Sequence, residues 1–176
     1  MVKAGRIVAR VAIGFGIFLA LFFAVGMMLT KEYQVERSLL MRSSPENIFE
    51  HVHSFKKWEK WSPWIAKDPT IINSYSGPAE GVGSQVSWKS EKSGSGSQEI
   101  ILSEPPHQIR TRLNFGEMGQ AEAYWKFENK EGGTLVRWGL VGKNEGAIGG
   151  YFSLMMDGFV GEDYEEGLVR LKTLVE

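Results

Sequence analysis

The hydrophobic pattern changes period four times along the chain. Residues 11–29, VAIGFGIFLALFFAVGMML, run without a charge or a strongly polar side chain, and as a helix they span roughly 29 Å, close to a bilayer's hydrocarbon core. A helix that is apolar all round has no face for water, so the stretch predicts a transmembrane helix rather than an amphipathic one. From Tyr33 the period drops to two. Tyr33, Val35, Leu39 and Met41 fall on one face and Gln34, Glu36, Ser38 and Arg42 on the other, as in a half-buried strand. Arg37 interrupts the apolar face and is expected near the strand end. Ser43-Ser44-Pro45-Glu46 then opens a helix, with Ser44 as N-cap, Pro45 at the first helical position, and Ile48, Phe49 and Val52 as the apolar stripe. A second short helix is predicted over 55–61, ended by Ser62-Pro63.

The middle of the chain predicts six strands, at 70–76, 84–91, 97–104, 107–115, 120–128 and 134–141. Gly77-Pro78, the SGSGS run at 93–97, Pro105-Pro106, the glycines at 116 and 119, and Gly132-Gly133 separate them, which implies an antiparallel meander. The SGSGS run is read as a flexible hairpin tip. Alternation places Val86 and Trp88, Ile109 to Phe115 at odd positions, Ala121 to Phe127 at odd positions, and Val136, Trp138 and Leu140 inward. Lys89, Arg110, Arg112, Glu122, Lys126 and Arg137 face outward, so one sheet face is wet. After Gly150 the spacing becomes helical through Tyr151, Phe152, Met155, Phe159, Tyr164, Leu168 and Leu171, with a kink or break expected at Gly158 and Gly161 and a restart at Glu162-Asp163.

Charge orients this arrangement. Lys3, Arg6 and Arg10 precede the apolar run, whereas Lys31 and Glu32 cancel after it, so the positive-inside rule puts the amino terminus in the cytoplasm. The organisation expected is a basic cytoplasmic segment at 1–10, a single-pass anchor at 11–29 and an extracytoplasmic domain at 33–176, periplasmic in a cell with two membranes. A cleaved signal peptide is the competing reading, with Ala24-Val25-Gly26 as its small-residue site; the continuation through Met27, Met28 and Leu29 favours the anchor. Beyond residue 30 there remain 17 basic and 21 acidic residues, a balance of −4. Such a domain is not built to bind nucleic acid, nor anionic lipid headgroups by bulk charge. Zero cysteines exclude disulfides, a thiol nucleophile and thiolate metal sites.

Strand, two helices, six strands and a long final helix resemble the START-like helix-grip fold of the SRPBCC superfamily, in its polyketide cyclase/dehydrase and lipid-transport-like group. The resemblance is carried by YQVERSLLMRSSPENIFEHV, WEKWSPW, YSGPAEGVGSQVSW and YFSLMMDGFVGEDYEEGLVRLK, and with the intervening strands it covers 33–176. It implies an α+β domain of order β-α-α-β6-α, in which a curved antiparallel sheet wraps around the last helix with a cavity between. Its relatives include lipid carriers, cyclases and proteins of unknown role.

Aromatic residues are the most informative chemistry. Trp58, Trp61 and Trp64 flank the Ser-Pro corner, and Trp88, Trp125 and Trp138 fall on inward strand positions. They read equally as core and as the wall of a ligand cavity, since pockets are mostly apolar and concave. The candidate lining set is Trp61, Trp64, Trp88, Phe115, Trp125, Trp138, Met155 and Phe159, with Thr111, Ala121 and Ala123 leaving room beside them. Asp157, Glu162 and Asp163 read as a weak candidate acid/base cluster near the cavity rim, with Asp157, between Met156 and Gly158, the one to test; helix capping by Glu162 or Asp163 and a solvated or paired Asp157 is the favoured reading. His51 and His53 stand at i, i+2, which sends them to different faces, so they cannot share a metal. No metal and no cofactor is expected. Arg110, Arg112 and Arg137 read as a solvated stripe beside Glu122 and Glu128. The 142–150 segment and the Trp61 to Trp64 corner are the expected gates.

The function expected is a membrane-tethered binding module for a small hydrophobic or amphipathic molecule. The alternatives are a cyclase-, dehydratase- or hydrolase-type enzyme in the same cavity, for which the inward positions offer no obvious acid or base, and a protein-interaction module using Trp58, Trp61 and Trp64 as an exposed patch.

Overall fold

The computed structural model describes residues 2–176, with the side chains of 2–5, 8 and 9 left aside; Lys3 therefore lies outside the described side chains. By its contacts the chain forms two compact units, one of residues up to Tyr33 with 143–155, the other of 34–142 with 156–176.

In the first unit, helix α1 runs from Val2 to Met28 without a break at the basic segment. Its stretch Arg10–Met28 is long and apolar enough to cross a membrane, and its side chains are almost all exposed.

The second unit is built on a curved seven-stranded sheet of order β1-β7-β6-β5-β4-β3-β2. The strands are β1 (Glu32–Met41), β2 (Ile72–Ser76), β3 (Gln85–Ser90), β4 (Gly94–Glu104), β5 (Gln108–Asn114), β6 (Gln120–Lys130) and β7 (Gly133–Lys143). Pairing from β2 to β7 is antiparallel between chain neighbours, as expected for strands joined by tight turns. The β4 pairing shifts register between Ile100 and Leu102, an irregularity of the kind that bends and twists a strand.

Helix α2 (Pro45–Val52) starts where the sequence says it should. Ser44 Oγ accepts the Asn47 N–H, Pro45 fills the first position, and Ile48, Phe49 and Val52 are buried. The following segment departs from expectation. A 3₁₀ turn covers Phe55–Lys60, and Pro63 then opens a further short helix, α3 (Pro63–Lys67), instead of only ending the previous one. Proline lacks the N–H that a first helical position leaves unused, so it starts a helix as readily as it stops one.

Three other expectations are corrected. The SGSGS run is not a tip: β4 begins at Gly94, and Trp88 stands opposite Gly96. A Cβ on Gly96 would run into the Trp88 ring and the Asn114 carbonyl, so the small residues make room for an indole. The last helix, α4 (Gly149–Val175), is continuous through Gly158 and Gly161. Gly161 instead faces the Arg37 guanidinium, which a side chain there would displace. Arg37 lies within β1, not at its end, and reaches α4: Nη1 and Nη2 bond Asp157 at 2.8 and 3.0 Å, and Nε bonds Glu165 at 2.5 Å.

The inward sheet positions read from the alternation form the core. Ile109, Ala123, Trp125, Phe127, Val136 and Trp138 are buried. The outer face carries ion pairs: Arg110 with Glu122, and Arg137 with Glu36 at 3.2 Å and Glu128 at 3.1 Å. On α4 the buried positions are Gly149, Gly150, Ser153, Gly161, Tyr164, Gly167, Leu168 and Leu171. Phe152, Met155 and Phe159, placed on the same stripe by spacing, are about half exposed, at 49%, 51% and 55%.

Candidate ligand-binding cavity

A core of stacked rings forms one wall of the cavity. Trp138 lies between Trp125, at 4.3 Å between ring centroids, and Tyr164, at 3.8 Å, nearly parallel to both. Trp58 and Trp61 meet both tryptophans edge-on. Their own indole N–H groups are fixed on the backbone, Trp58 donating to Val52 O at 2.7 Å and Trp61 to His51 O at 3.1 Å. Trp58 and Trp61 are thus buried, which removes the exposed aromatic patch that the protein-interaction reading required. The Trp125 and Trp138 N–H groups are buried without a partner among the described residues.

Beyond this stack, the sheet and α4 leave a cavity of about 320 Å³, at the lower end of the roughly 300–1,000 Å³ typical of small-molecule sites. Of the residues named from the sequence, Trp64, Trp88, Phe115, Trp138 and Phe159 lie in its wall. Trp61, Trp125 and Met155 do not: the first two are fully buried in the core, and Met155 is exposed. Thr111, Ala121 and Ala123 are buried and are not among the lining residues. The 142–150 segment is not among the lining residues.

Polar groups in the wall are few, and most are already engaged. Asp163 is a lining residue, not a free helix cap: its Oδ2 accepts the Trp64 indole N–H at 2.9 Å and its Oδ1 accepts Lys67 Nζ at 2.6 Å. Lys67 also pairs with Glu166 at 3.0 Å, and the hydrogen bonds its ammonium donates to Asp163 and Glu166 hold it above the usual lysine range. Tyr75 donates to Glu59 at 2.6 Å, and burial, reinforced by that bond, pushes its phenol above the ordinary range. Gln98 is the exception. It is 8% exposed, donates from Nε2 to Thr111 Oγ1 at 2.8 Å, and has no other protein partner among the described residues. Ser95 and Asn73 lie in the same wall, so one end of an otherwise aromatic cavity offers neutral hydrogen-bonding groups.

The residues proposed for proton chemistry sit poorly for it. Asp157 is exposed outside the cavity, and its hydrogen bond to Arg37 holds the carboxyl below the usual range, the reverse of what a general acid needs. His53 stacks on Phe49, bonds its carbonyl and pairs with Glu80 at 3.2 Å. The His51 ring has a buried, unpartnered Nδ1, and desolvation lowers its pKa. Gln98 is a lining residue that spacing did not single out, whereas Tyr164 stood on the helical stripe and Asp163 in the carboxylate cluster expected near the cavity rim. The signal for Gln98 was available: it shares the inward parity of Ile100 on a strand of otherwise apolar inward positions.

A curved antiparallel sheet gripping a long carboxy-terminal helix, with an apolar cavity between them, defines a helix-grip fold. The chain belongs to the polyketide cyclase/dehydrase and lipid transport family, whose model matches residues 33–176. Comparison with curated proteins gives no match. Among solved structures it is similar in fold to protein CV1439 from Chromobacterium violaceum, with a TM-score of 0.61 at 14% identity over 81% of this chain and 96% of that one. It is similar also to the Aha1 dimer from Colwellia psychrerythraea, with a TM-score of 0.53 at 19% identity over 81% and 92%. The di-domain ARO/CYC StfQ from the steffimycin biosynthetic pathway aligns at a TM-score of 0.63 and 8% identity, over 82% of this chain and 50% of that one.

Proposed function

We propose that this protein is a membrane-tethered, extracytoplasmic binding module that holds a small, uncharged hydrophobic or lipid-like molecule between its sheet and α4. The observation carrying this reading is the cavity itself: aromatic walls, neutral polar groups at Gln98, Asn73 and Ser95, and Asp163 as its one charged described lining residue. A ligand carboxylate would lose its hydration beside Asp163, with Lys67 already committed to Asp163 and Glu166. A carbonyl or hydroxyl, by contrast, finds Gln98. The apolar stretch of α1 supports the tether, and the Lys3, Arg6 and Arg10 cluster supports a cytoplasmic amino terminus.

Turnover ranks second. The cyclase reading of the family needs a group that can exchange a proton in the cavity, and Asp163 and Tyr75 are both tied to protein partners.

Native mass spectrometry of the full chain, exposed to a membrane lipid extract and released from detergent, tests the proposal. A reproducible added mass is expected, lost in Leu113→Trp, which fills the cavity, and enriched in neutral over carboxylate-bearing lipids. A chain that stays unloaded in wild type, or that loads equally in Leu113→Trp, overturns it.

A further inference from the structure

Within the amino-terminal unit, the segment 143–155 packs lengthwise against the end of α1. The Tyr151 ring stacks on Phe22 at 4.6 Å between centroids and 5° between planes, and its hydroxyl donates to the Phe22 carbonyl at 2.9 Å. Gly26 is buried here, where a Cβ would strike the Ala147 carbonyl and the Tyr151 ring, and a Cβ on Gly150 would strike Leu29. Lys31 O accepts both the Asn144 N–H at 2.9 Å and the Ser153 hydroxyl at 2.5 Å. The contacts therefore tie the first turn of α4 to the last two turns of α1. Phe22 precedes Met28 by six residues, about 9 Å of helix rise. A group stacked on Phe22 thus lies that far back from the helix end, alongside the apolar stretch itself.

The same segment exposes Ile148, Phe152, Leu154 and Met155, and from Ala147 to Met156 it carries no charge. Ten apolar-rich residues are too few to span a bilayer and suit an interfacial or re-entrant position. Tyrosine belongs at that boundary, with its ring in the apolar zone and its hydroxyl bonded. From this continuity with α1 we infer that residues 147–156 are a membrane-inserted segment, submerged in the domain-side leaflet of the bilayer beside α1. The inference rests on the tethered reading of α1. The partner is the lipid bilayer, engaged through apolar burial and not through headgroup charge, since the segment itself carries no charge and Lys143, four residues before it, is paired with Glu145 at 3.2 Å.

The chain's lack of cysteine allows single-site labelling. Leu154→Cys, Ile17→Cys and Val169→Cys, all exposed positions, are labelled with an environment-sensitive fluorophore in the full chain, reconstituted in phosphatidylcholine vesicles with nitroxides near the glycerol or near the chain end. The expected result is deep quenching at position 17, shallow quenching with blue-shifted emission at 154, and neither at 169, unchanged when phosphatidylglycerol is added. Deep quenching at 17 with a water-like, unquenched label at 154 overturns the inference and leaves the anchor standing. A blue shift at 154 without nitroxide quenching points to a protein contact, a second copy included, and overturns it as well. No quenching at 17 removes the anchor, and the inference with it.

Discussion

At the scale of single residues, the cavity end of the domain depends on polar groups that are satisfied locally. Asp68 is the clearest case. It is buried, and its carboxylate accepts from Thr70 N at 3.1 Å, from Thr70 Oγ1 and Ser90 Oγ at 2.5 Å each, and from Ser93 Oγ at 2.6 Å. The hydroxyls of Ser90, Ser93 and Thr70 hold its pKa well below the usual carboxylate range. A carboxyl depressed in the folded state stabilises above its unfolded pKa, about 3.9, and loses that contribution as pH falls towards the folded value. Asp68→Asn is therefore expected to be less stable than wild type at neutral pH, with the gap closing below about pH 4. Urea midpoints across a pH series measure this; a gap independent of pH would mean the carboxylate's charge is not what the serines recognise. Strand parity revealed Trp88 and Trp138 as inward-facing because a period of two needs only the sequence. Which of them meets open space was not legible there, since Trp125 and Trp138 have the same parity and only the packing of α4 and α3 separates core from cavity wall.

At the scale of elements, α4 shows how tertiary contacts overrule local propensity. Glycines at 158, 161 and 167 weaken a helix in isolation. Here Gly161 admits the Arg37 guanidinium, and Gly167 lets the helix approach the sheet, where a Cβ would meet Trp138 Cζ3 at 2.7 Å and Pro63 Cδ at 3.2 Å. Trp138 is stacked on both sides and cannot give way. Gly167→Val is expected to lower stability by about 1–3 kcal/mol through overpacking, measured as a lower denaturant midpoint with an unchanged slope. An unchanged midpoint would show that α4 stands further from the sheet. The helix stripe read from spacing failed at Phe152, Met155 and Phe159 for a related reason. Periodicity reports that a helix has an apolar face, but not how much of that face its neighbours cover, and Phe152, Met155 and Phe159 are left about half exposed.

At the scale of the whole molecule, the anchor and the cavity belong to a single proposal. On that proposal, the few residues between α1 and β1 would hold the domain near the membrane from which an apolar ligand would be drawn. Topology reporters at both termini are expected to place the amino end in the cytoplasm and the carboxyl end outside it; a cytoplasmic carboxyl end would refute the extracytoplasmic reading. The sequence by itself determined the order of elements, the inward face of nearly every strand, the α2 cap and the apolar span, because each depends on local period, turn chemistry or length. Only the tertiary structure decided that α4 is unbroken, that the SGSGS run accommodates an indole, that Arg37 is answered by Asp157 and Glu165, and that Gln98 faces open space while Trp61 and Trp125 do not. Those outcomes depend on contacts between residues far apart in the chain, where the size and position of a neighbour, not the pattern around a residue, settle what it does.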